Sequence, residues 1–437
     1  MTRPLPSAAT PPARRAAARA RTGMALPTAL LLLVVMTALA GGAFSMSRQA
    51  FRGGRNALVE ARAFAASEYG LNRQIAEWNP TFNLPTTGGG AAQGQSFISN
   101  IYVPTGSIDT ATVRITRLDP ALFFIESLGR ASIPNPQLQS TRNVAALVRL
   151  AYPSINPQGA ITTNGNVRID GNAFTVDGRD RAPFASAPGA PIGLWNPNGD
   201  AWNPNRCTDL TSYAPVFAFA VPPDSAVSVN SSTVVPGSMG VLNTAVAANP
   251  NTYIAFGTET MATLIGGANK WYGGPTVLPD ALVMPDVHVD GRNIEPRLDN
   301  GRCDFADREN WGEPLGGADD VVPCQGYFPI IFVNGNARIN GNGRGQGILI
   351  VNGDLQFNGN FTWAGLILVR DDMNKGNGNA VITGAVMAGN RITDQRDDGS
   401  TYGGSQTVQY SRCAVESALR GSAALIRVRE RGWTQLF

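Results

Sequence analysis

The stretch from Met24 to Ser47 carries no charged residue, and its apolar part reads MALPTALLLLVVMTALAGGAF. That is enough to cross a bilayer as a helix, which takes about 20 apolar residues. A basic, acid-free leader precedes it: Arg14, Arg15, Arg19 and Arg21, then Gly23. The helical pattern does not stop at the membrane edge but continues through polar sequence to Trp78. A secretory signal peptide has a shorter apolar part, followed by a small-residue cleavage site. Here the small residue, Gly23, lies before the apolar run. This order predicts a membrane subunit whose helix is kept after processing. The basic leader predicts a cytoplasmic amino terminus and a body outside the membrane.

The segment RTGMALPTALLLLVV resembles the cleavage region of the type IV pilin superfamily. It is most similar to the PilX-type minor pilins and to the large tip pseudopilin of type II secretion. The resemblance covers about the first 80 residues, and the order of a long helix followed by β strands is also that of a pilin. It implies a cut between Gly23 and Met24 by a prepilin peptidase, which methylates the new amino terminus. It also implies partners: other pilins or pseudopilins through the helix, and an inner-membrane assembly platform. The subunit would sit in the inner membrane as a single-pass protein and then move into a cell-surface fibre. Most pilins carry a glutamate at the fifth mature residue, which neutralises the terminal ammonium of a neighbouring subunit in the apolar fibre core. Here that residue is Thr28. A buried, unpaired charge costs several kcal/mol, so a subunit that lacks the carboxylate fits where nothing lies ahead of it, at or near a tip. An uncleaved membrane anchor is the plainer alternative.

Along the helix the face Phe44, Phe51, Leu58, Phe64, Glu68, Leu71, Ile75 and Trp78 keeps mostly three-, four- or seven-residue steps, one side of a helix. Thr28, Phe44, Phe51 and Leu58 are the candidate assembly residues. Arg48, Arg52, Arg55, Glu60, Arg62 and Arg73 form the polar face. The pairs Gly41-Gly42 and Gly53-Gly54 weaken a helix by about 1 kcal/mol per residue relative to Ala, and predict bends or melted turns. Asn79-Pro80 ends the helix, and a Gly-rich linker follows.

From Ser96 the pattern changes to short β runs: Phe97–Val103, Thr112–Leu118, Leu122–Ser127 and Val144–Tyr152, with Asp119-Pro120 as a hairpin signal. Beyond them a motif NG[ND]xxx[ND]GN occurs three times, at Asn164–Asn172, Asn334–Asn342 and Asn352–Asn360. Apolar runs such as Ile330–Val333, Ile348–Val351, Leu366–Val369 and Val381–Met387 flank it. Short strands between Asn-Gly corners read as a β-solenoid, because Asn and Gly tolerate positive φ. Stacked rungs would align the asparagines into amide ladders. Consecutive hairpins are the other reading. The isolated first copy predicts that Ala160–Val176 adds a rung to the same stack and that Asp177–Asp320 is a long insertion. Ala414, Ala418, Leu419, Ala423 and Ile426, with Arg420, Arg427, Arg429 and Arg431, predict a terminal amphipathic helix.

The expected fold is therefore α+β, mostly β, with these parts: a leader 1–23, a transmembrane and assembly helix 24–79, a linker 80–95, an antiparallel meander 96–152, a solenoid-like body 153–403 with insertion 177–320, and a C-terminal helix 404–437. With 437 residues there is ample length for such a core. Five of the 35 basic residues sit in the leader, so the remainder is close to neutral. With no basic patch interleaved with aromatics, nucleic-acid binding is not expected.

The four cysteines, Cys207, Cys303, Cys324 and Cys413, all follow the membrane segment. An even count in an oxidising compartment favours two disulfides. Three pairings are open. Cys303 with Cys324 is preferred, which leaves Cys207 with Cys413. Among polar clusters, Asp286-Val-His-Val-Asp290 places two carboxylates and the chain's lone His288 on one side of a strand, a weak metal candidate. Asp371, Asp372, Asp394, Asp397 and Asp398 could bind calcium, though no EF-hand or nonapeptide spacing is present. Trp195, Trp202 and Trp271 lie in Pro- and Asn-rich sequence, where they could grip a sugar or partner or simply plug loops. No GxSxG, phosphate loop or dinucleotide fingerprint occurs. The expectation is a non-enzymatic structural subunit without cofactor; a membrane-anchored adhesin, or a tethered solenoid enzyme acting on polysaccharide, is the alternative.

Overall fold

A computed structural model describes residues 25–84, 93–102, 109–133, 138–181 save 154 and 172, 215–243 save 231, 232, 236 and 237, 255–273 save 257, 258 and 269, 286–290, 294–314, 324–394 save 325, 403–428 and 433–436. It is an α+β fold, mostly β: a long helix, an antiparallel sheet, and a large parallel body with a short helix near its C-terminus.

Helix α1 runs unbroken over Ala25–Ala76. The glycine pairs expected to bend or melt it leave it unmelted. A helical glycine keeps its backbone hydrogen bonds, and nothing lies within 4 Å of a Cβ built at Gly41, Gly42, Gly53 or Gly54. A 3-10 turn at Pro80–Asn83 follows.

Strands β1 (Ser96–Tyr102), β2 (Thr110–Asp119), β3 (Leu122–Ser132) and β4 (Gln139–Ala151) form an antiparallel meander. Alternating burial along β2 and β3 follows their alternating apolar residues, the period of a half-buried sheet. The buried side, with Val113, Ile115, Phe123, Ile125, Val144 and Val148, packs on α1.

The terminal segment holds the expected helix, shorter than the apolar pattern predicts. It contributes a strand at Gln406–Tyr410, a ten-residue helix at Arg412–Gly421, and two strands, Ala424–Arg427 and Trp433–Leu436. Both last strands pair antiparallel with β4. The apolar-basic pattern through Ile426 and Arg427 served a sheet edge instead: the helix closes after Gly421, where the Ser422 N–H donates to Ala418 O and Arg420 O and a Cβ on Gly421 would lie 2.6 Å from the Phe328 ring. Arg429 and Arg431 lie outside the described residues.

The body is a parallel stack of a ten-stranded and a seven-stranded sheet. The ten-stranded sheet runs in space from Lys270–Tyr272 through Ile330–Val333, Gly343–Val351, Phe361–Val369 and Ala380–Ala388 to Gly159–Thr163, Phe217–Val221 and Met239–Asn243. Ala160–Val176 does join the stack: Gly159–Thr163 pairs with Ala380–Ala388, Val167–Ile169 with Ile392–Thr393, and Phe174–Asp177 with Gln406–Tyr410. The span 177–320 is not simply an insertion. Its strands Phe217–Val221 and Val227–Val229 extend the stack at one end, and Lys270–Tyr272 and Asp286–Asp290 at the other.

The three long strands each bend at a glycine. Gly347, Gly365 and Gly384 have φ of 109°, 134° and 145° and stand in register across the rungs. A Cβ on Gly365 would lie 2.1 Å from the carbonyl oxygen of Gly347, and one on Gly384 1.8 Å from that of Gly365. The asparagines form the expected ladders. Asn352 Nδ2 donates to Asn334 Oδ1 at 2.9 Å, and Arg370 Nη1 to Asn352 Oδ1 at 3.0 Å. A second column links Asn342, Asn360 and Asn379, at 2.9 Å for each step.

Candidate functional site: the uncovered apolar helix

About 52 residues at about 1.5 Å each make α1 about 78 Å long. Its two halves differ. From Ala25 to Gly54 every side chain is exposed, including Leu30, Leu31, Leu33, Met36, Leu39 and Phe44. This is the one helix among the described residues long and apolar enough to cross a membrane; its best window has mean hydropathy 2.2 and none of it is buried. The second half is fixed to the sheet. Val59, Ala63, Ala66, Ser67, Gly70 and Leu71 are buried.

The apolar spacing predicts part of this side: Phe64, Leu71, Ile75 and Trp78 pack into the core beneath the sheet. Phe44, Phe51 and Leu58 are exposed, at 61%, 66% and 58%, and Glu68 is half-buried. Smallness sets how closely the docked side approaches the sheet. A Cβ on Gly129 of β3 would lie 2.1 Å from Ala63 O and 2.4 Å from Ser67 N, and one on Gly70 would lie 2.5 Å from Ala111 Cβ. Backbones approach this closely only where side chains are missing. The signal in the sequence is the run Ala63, Ala66, Ser67, Gly70 at helical spacing, opposite Ala111, Ser127 and Gly129.

Polar contacts fix the rotation of α1 on the sheet. Arg62 grips Asp109 with two of its nitrogens: Nε to Oδ2 at 3.1 Å and Nη2 to Oδ1 and Oδ2 at 2.9 and 2.8 Å. Arg142 of the sheet pairs with Glu60; Arg73 pairs with Glu77 within the last turn of the helix. Beyond the helix end, Trp78 Nε1 donates to Asn83 Oδ1 at 2.7 Å, and Asn83 Nδ2 donates to Gly421 O and Ala423 O at 2.8 and 2.9 Å. Asn83 thereby ties the foot of α1 to the C-terminal helix. Arg117 is buried beneath, donating to Pro120 O at 2.6 Å and to Phe82 O and stacking over Phe123. Burial pulls its guanidinium down to about 10, still charged at neutral pH.

Gly23 and Met24 lie outside the described residues. Thr28 Oγ1 donates to Ala25 O at 3.0 Å within the exposed first turns.

The other candidates do not gather into a site. His288 is exposed, with Nδ1 3.2 Å from Asn340 Nδ2. No three His, Cys, Asp or Glu side chains among the described residues are grouped to hold a metal. The acidic group is dispersed. Asp372 accepts from Arg391 N at 3.1 Å and from its Nε at 2.5 Å, and Asp394 accepts from the amides of Asp170 and Gly171 at 3.1 and 2.7 Å. These carboxylates are occupied in holding rung to rung. Asp397, Asp398, Trp195 and Trp202 lie outside the described residues.

Cys303 and Cys324 are bridged, with Cα atoms 4.9 Å apart. Asn310 Nδ2 lies 3.3 Å from both sulfurs and donates to Asp304 O at 2.7 Å, so it braces the loop from inside. Cys413 is buried and disulfide-bonded. Cys207, its expected partner, lies outside the described residues.

Neither a protein-family model nor a curated protein matches the chain. Among solved structures it is similar to the crystal structure of the competence-associated pilin ComZ from Thermus thermophilus, at 14% identity and a TM-score of 0.27, over 87% of this chain and 96% of that one. A superposition this loose transfers no residue role.

Proposed function

We propose that the chain is a minor pilin-like structural subunit of a type IV pilus or a related fibre. One observation carries this reading: α1 is apolar and uncovered over its first half and rigidly docked over its second. An apolar rod of that length needs lipid or other helices around it, since exposed apolar area is unfavourable by about 25 cal/mol per Å². A docked lower half makes the rod a handle that carries the β body. The subunit waits in the inner membrane, amino terminus in the cytoplasm and body in the periplasm. It then exchanges lipid for the helices of other pilins, with the prepilin peptidase and the assembly platform as the machinery. The peptidase cuts between Gly23 and Met24. Thr28 in place of a carboxylate supports a position at or near the tip. No catalytic role is assigned to the body.

Mass spectrometry of the mature amino terminus tests the reading. The expected species begins with N-methyl-Met24. A mature chain that still contains Arg14 to Gly23 overturns it. Gold labelling of isolated fibres tests the position: label along the whole shaft overturns the tip assignment.

A further inference from the structure

The first 59 residues contain no Asp or Glu, and the first three arginines after the apolar run are Arg48, Arg52 and Arg55. Their spacing of four and three residues places them on one side of α1, within an arc of about 60° at about 100° per residue. Arg48 and Arg52 are exposed and Arg55 is half-buried. None has a carboxylate partner among the described residues. The guanidinium of Arg48 lies 4.6 Å from the ring centre of Phe44, and that of Arg55 5.7 Å from that of Phe51. One turn further on the pattern changes. Arg62 and Glu60 are both paired to the sheet, with Asp109 and Arg142. The helix thus satisfies its charges internally as soon as the body can reach them, and leaves three arginines above that level unanswered.

The height of the stripe identifies what answers them. Ala25 to Ser47 rises about 35 Å as a helix, against about 30 Å of hydrocarbon and about 40–45 Å with headgroups. With the uncharged run centred in the bilayer, Arg48 sits about 4 Å beyond the hydrocarbon, inside the outer headgroup layer. Arg52 and Arg55 stand about 6 and about 10 Å further out, and their side chains, which lean toward the helix N-terminus, reach back to it. Arginine beside an aromatic ring, apolar stem down and guanidinium up, is suited to that layer. Guanidinium matches phosphate in charge and in its paired donors.

Resting on the membrane-spanning reading above, we propose that Arg48, Arg52 and Arg55 form a docking stripe for the phosphates of anionic phospholipids on the outer face of the membrane. The stripe sets how far the helix is drawn into the bilayer and holds the subunit there before assembly. Leaving the membrane requires those phosphates to be released.

The test uses the full chain reconstituted with spin-labelled phosphatidylglycerol or phosphatidylcholine. Each arginine near an anionic surface contributes about fivefold (about 1 kcal/mol). Wild type should therefore select phosphatidylglycerol several-fold at low salt and lose that selection in about 1 M NaCl, where the screening length falls to about 3 Å. The R48Q/R52Q/R55Q variant should show no selection at either salt. Equal selection by wild type and variant, with both resistant to carbonate extraction, overturns the stripe and leaves the membrane reading intact. Carbonate extraction of wild type overturns the membrane reading itself. An unselective wild type whose helix cross-links in fibres are lost in the variant assigns the stripe to an acidic protein partner, and also overturns it.

Discussion

Gly129 faces Ala63 across the helix–sheet junction so closely that a Cβ on the glycine would sit 2.1 Å from the alanine's carbonyl oxygen. No rotamer relieves this, because the obstacle is backbone. Gly129→Ala must push α1 off the sheet or bend β3. Overpacking of this kind costs about 1–3 kcal/mol, and a backbone clash belongs at the top of that range. The urea midpoint of the variant should fall, with cross-links between α1 and β3 lost. An unchanged midpoint would show that the two backbones are not in contact.

The amide ladder makes a second prediction. Asn352 is 5% exposed and serves Asn334 and Arg370 at once. Asn352→Ala leaves the buried Asn334 short of a hydrogen bond, at about 1–3 kcal/mol, while the exposed Arg370 turns to water. Asn360→Ala, in the exposed column between Asn342 and Asn379, should cost less, because water replaces the amide. Denaturation of the two variants side by side checks the order.

Asp180 gives the stability a pH dependence. Its Oδ1 accepts from Arg412 N at 2.9 Å, while Oδ2 is buried with no hydrogen-bond partner among the described residues. Burial raises its carboxyl from 3.8 to about 6, against the amide and charge of Arg412, while Glu416 adds to the rise. The ionised form is thus the disfavoured one in the fold. Stability is fully present below the unfolded value and is lost as pH rises through about 6. Nearby Asp177 shifts downward under its hydrogen bonds from Arg179 and Arg181, which outweigh its own burial, so it contributes the opposite slope. The difference between wild type and Asp180→Asn isolates the sign. From pH 4 to pH 7 wild type should lose about 1–2 kcal/mol relative to the variant, a figure reduced for partial solvent screening.

Reduction should act locally. The Cys303–Cys324 bridge closes a segment with a sequence separation of 21, worth about 3 kcal/mol in unfolded-chain entropy. Its loop also holds Lys270, whose Nζ donates to Phe305 O at 2.9 Å and to Asp307 O. Cys303→Ser with Cys324→Ser should speed hydrogen exchange across 297–313 while the rungs at 343–388 stay protected. Uniform loss of protection would mean that the loop holds the whole stack together.

The sequence by itself determined the pieces that local chemistry specifies. An uncharged apolar run followed by polar helical spacing makes α1. Alternation makes β2 and β3. Asn-Gly corners between apolar runs make rungs, and equal spacing of 18 residues makes their amides coincide. Even the lone copy at Asn164 was legible as a rung.

Tertiary structure alone decided which rung lies beside which. Gly159–Thr163 stacks on Ala380–Ala388, and the strands at 217–221 and 270–272 extend opposite ends of one sheet. The C-terminal strands closed the edge of β4 instead of continuing a helix. Parallel pairing uses backbone groups that every extended segment offers, so a rung's own residues do not name its neighbour. The close approach of α1 to the sheet was hidden for a related reason: what lets Ala63, Ser67 and Gly70 come so near is the absence of side-chain volume, and absence reads as a site only once the opposing Gly129 is in place.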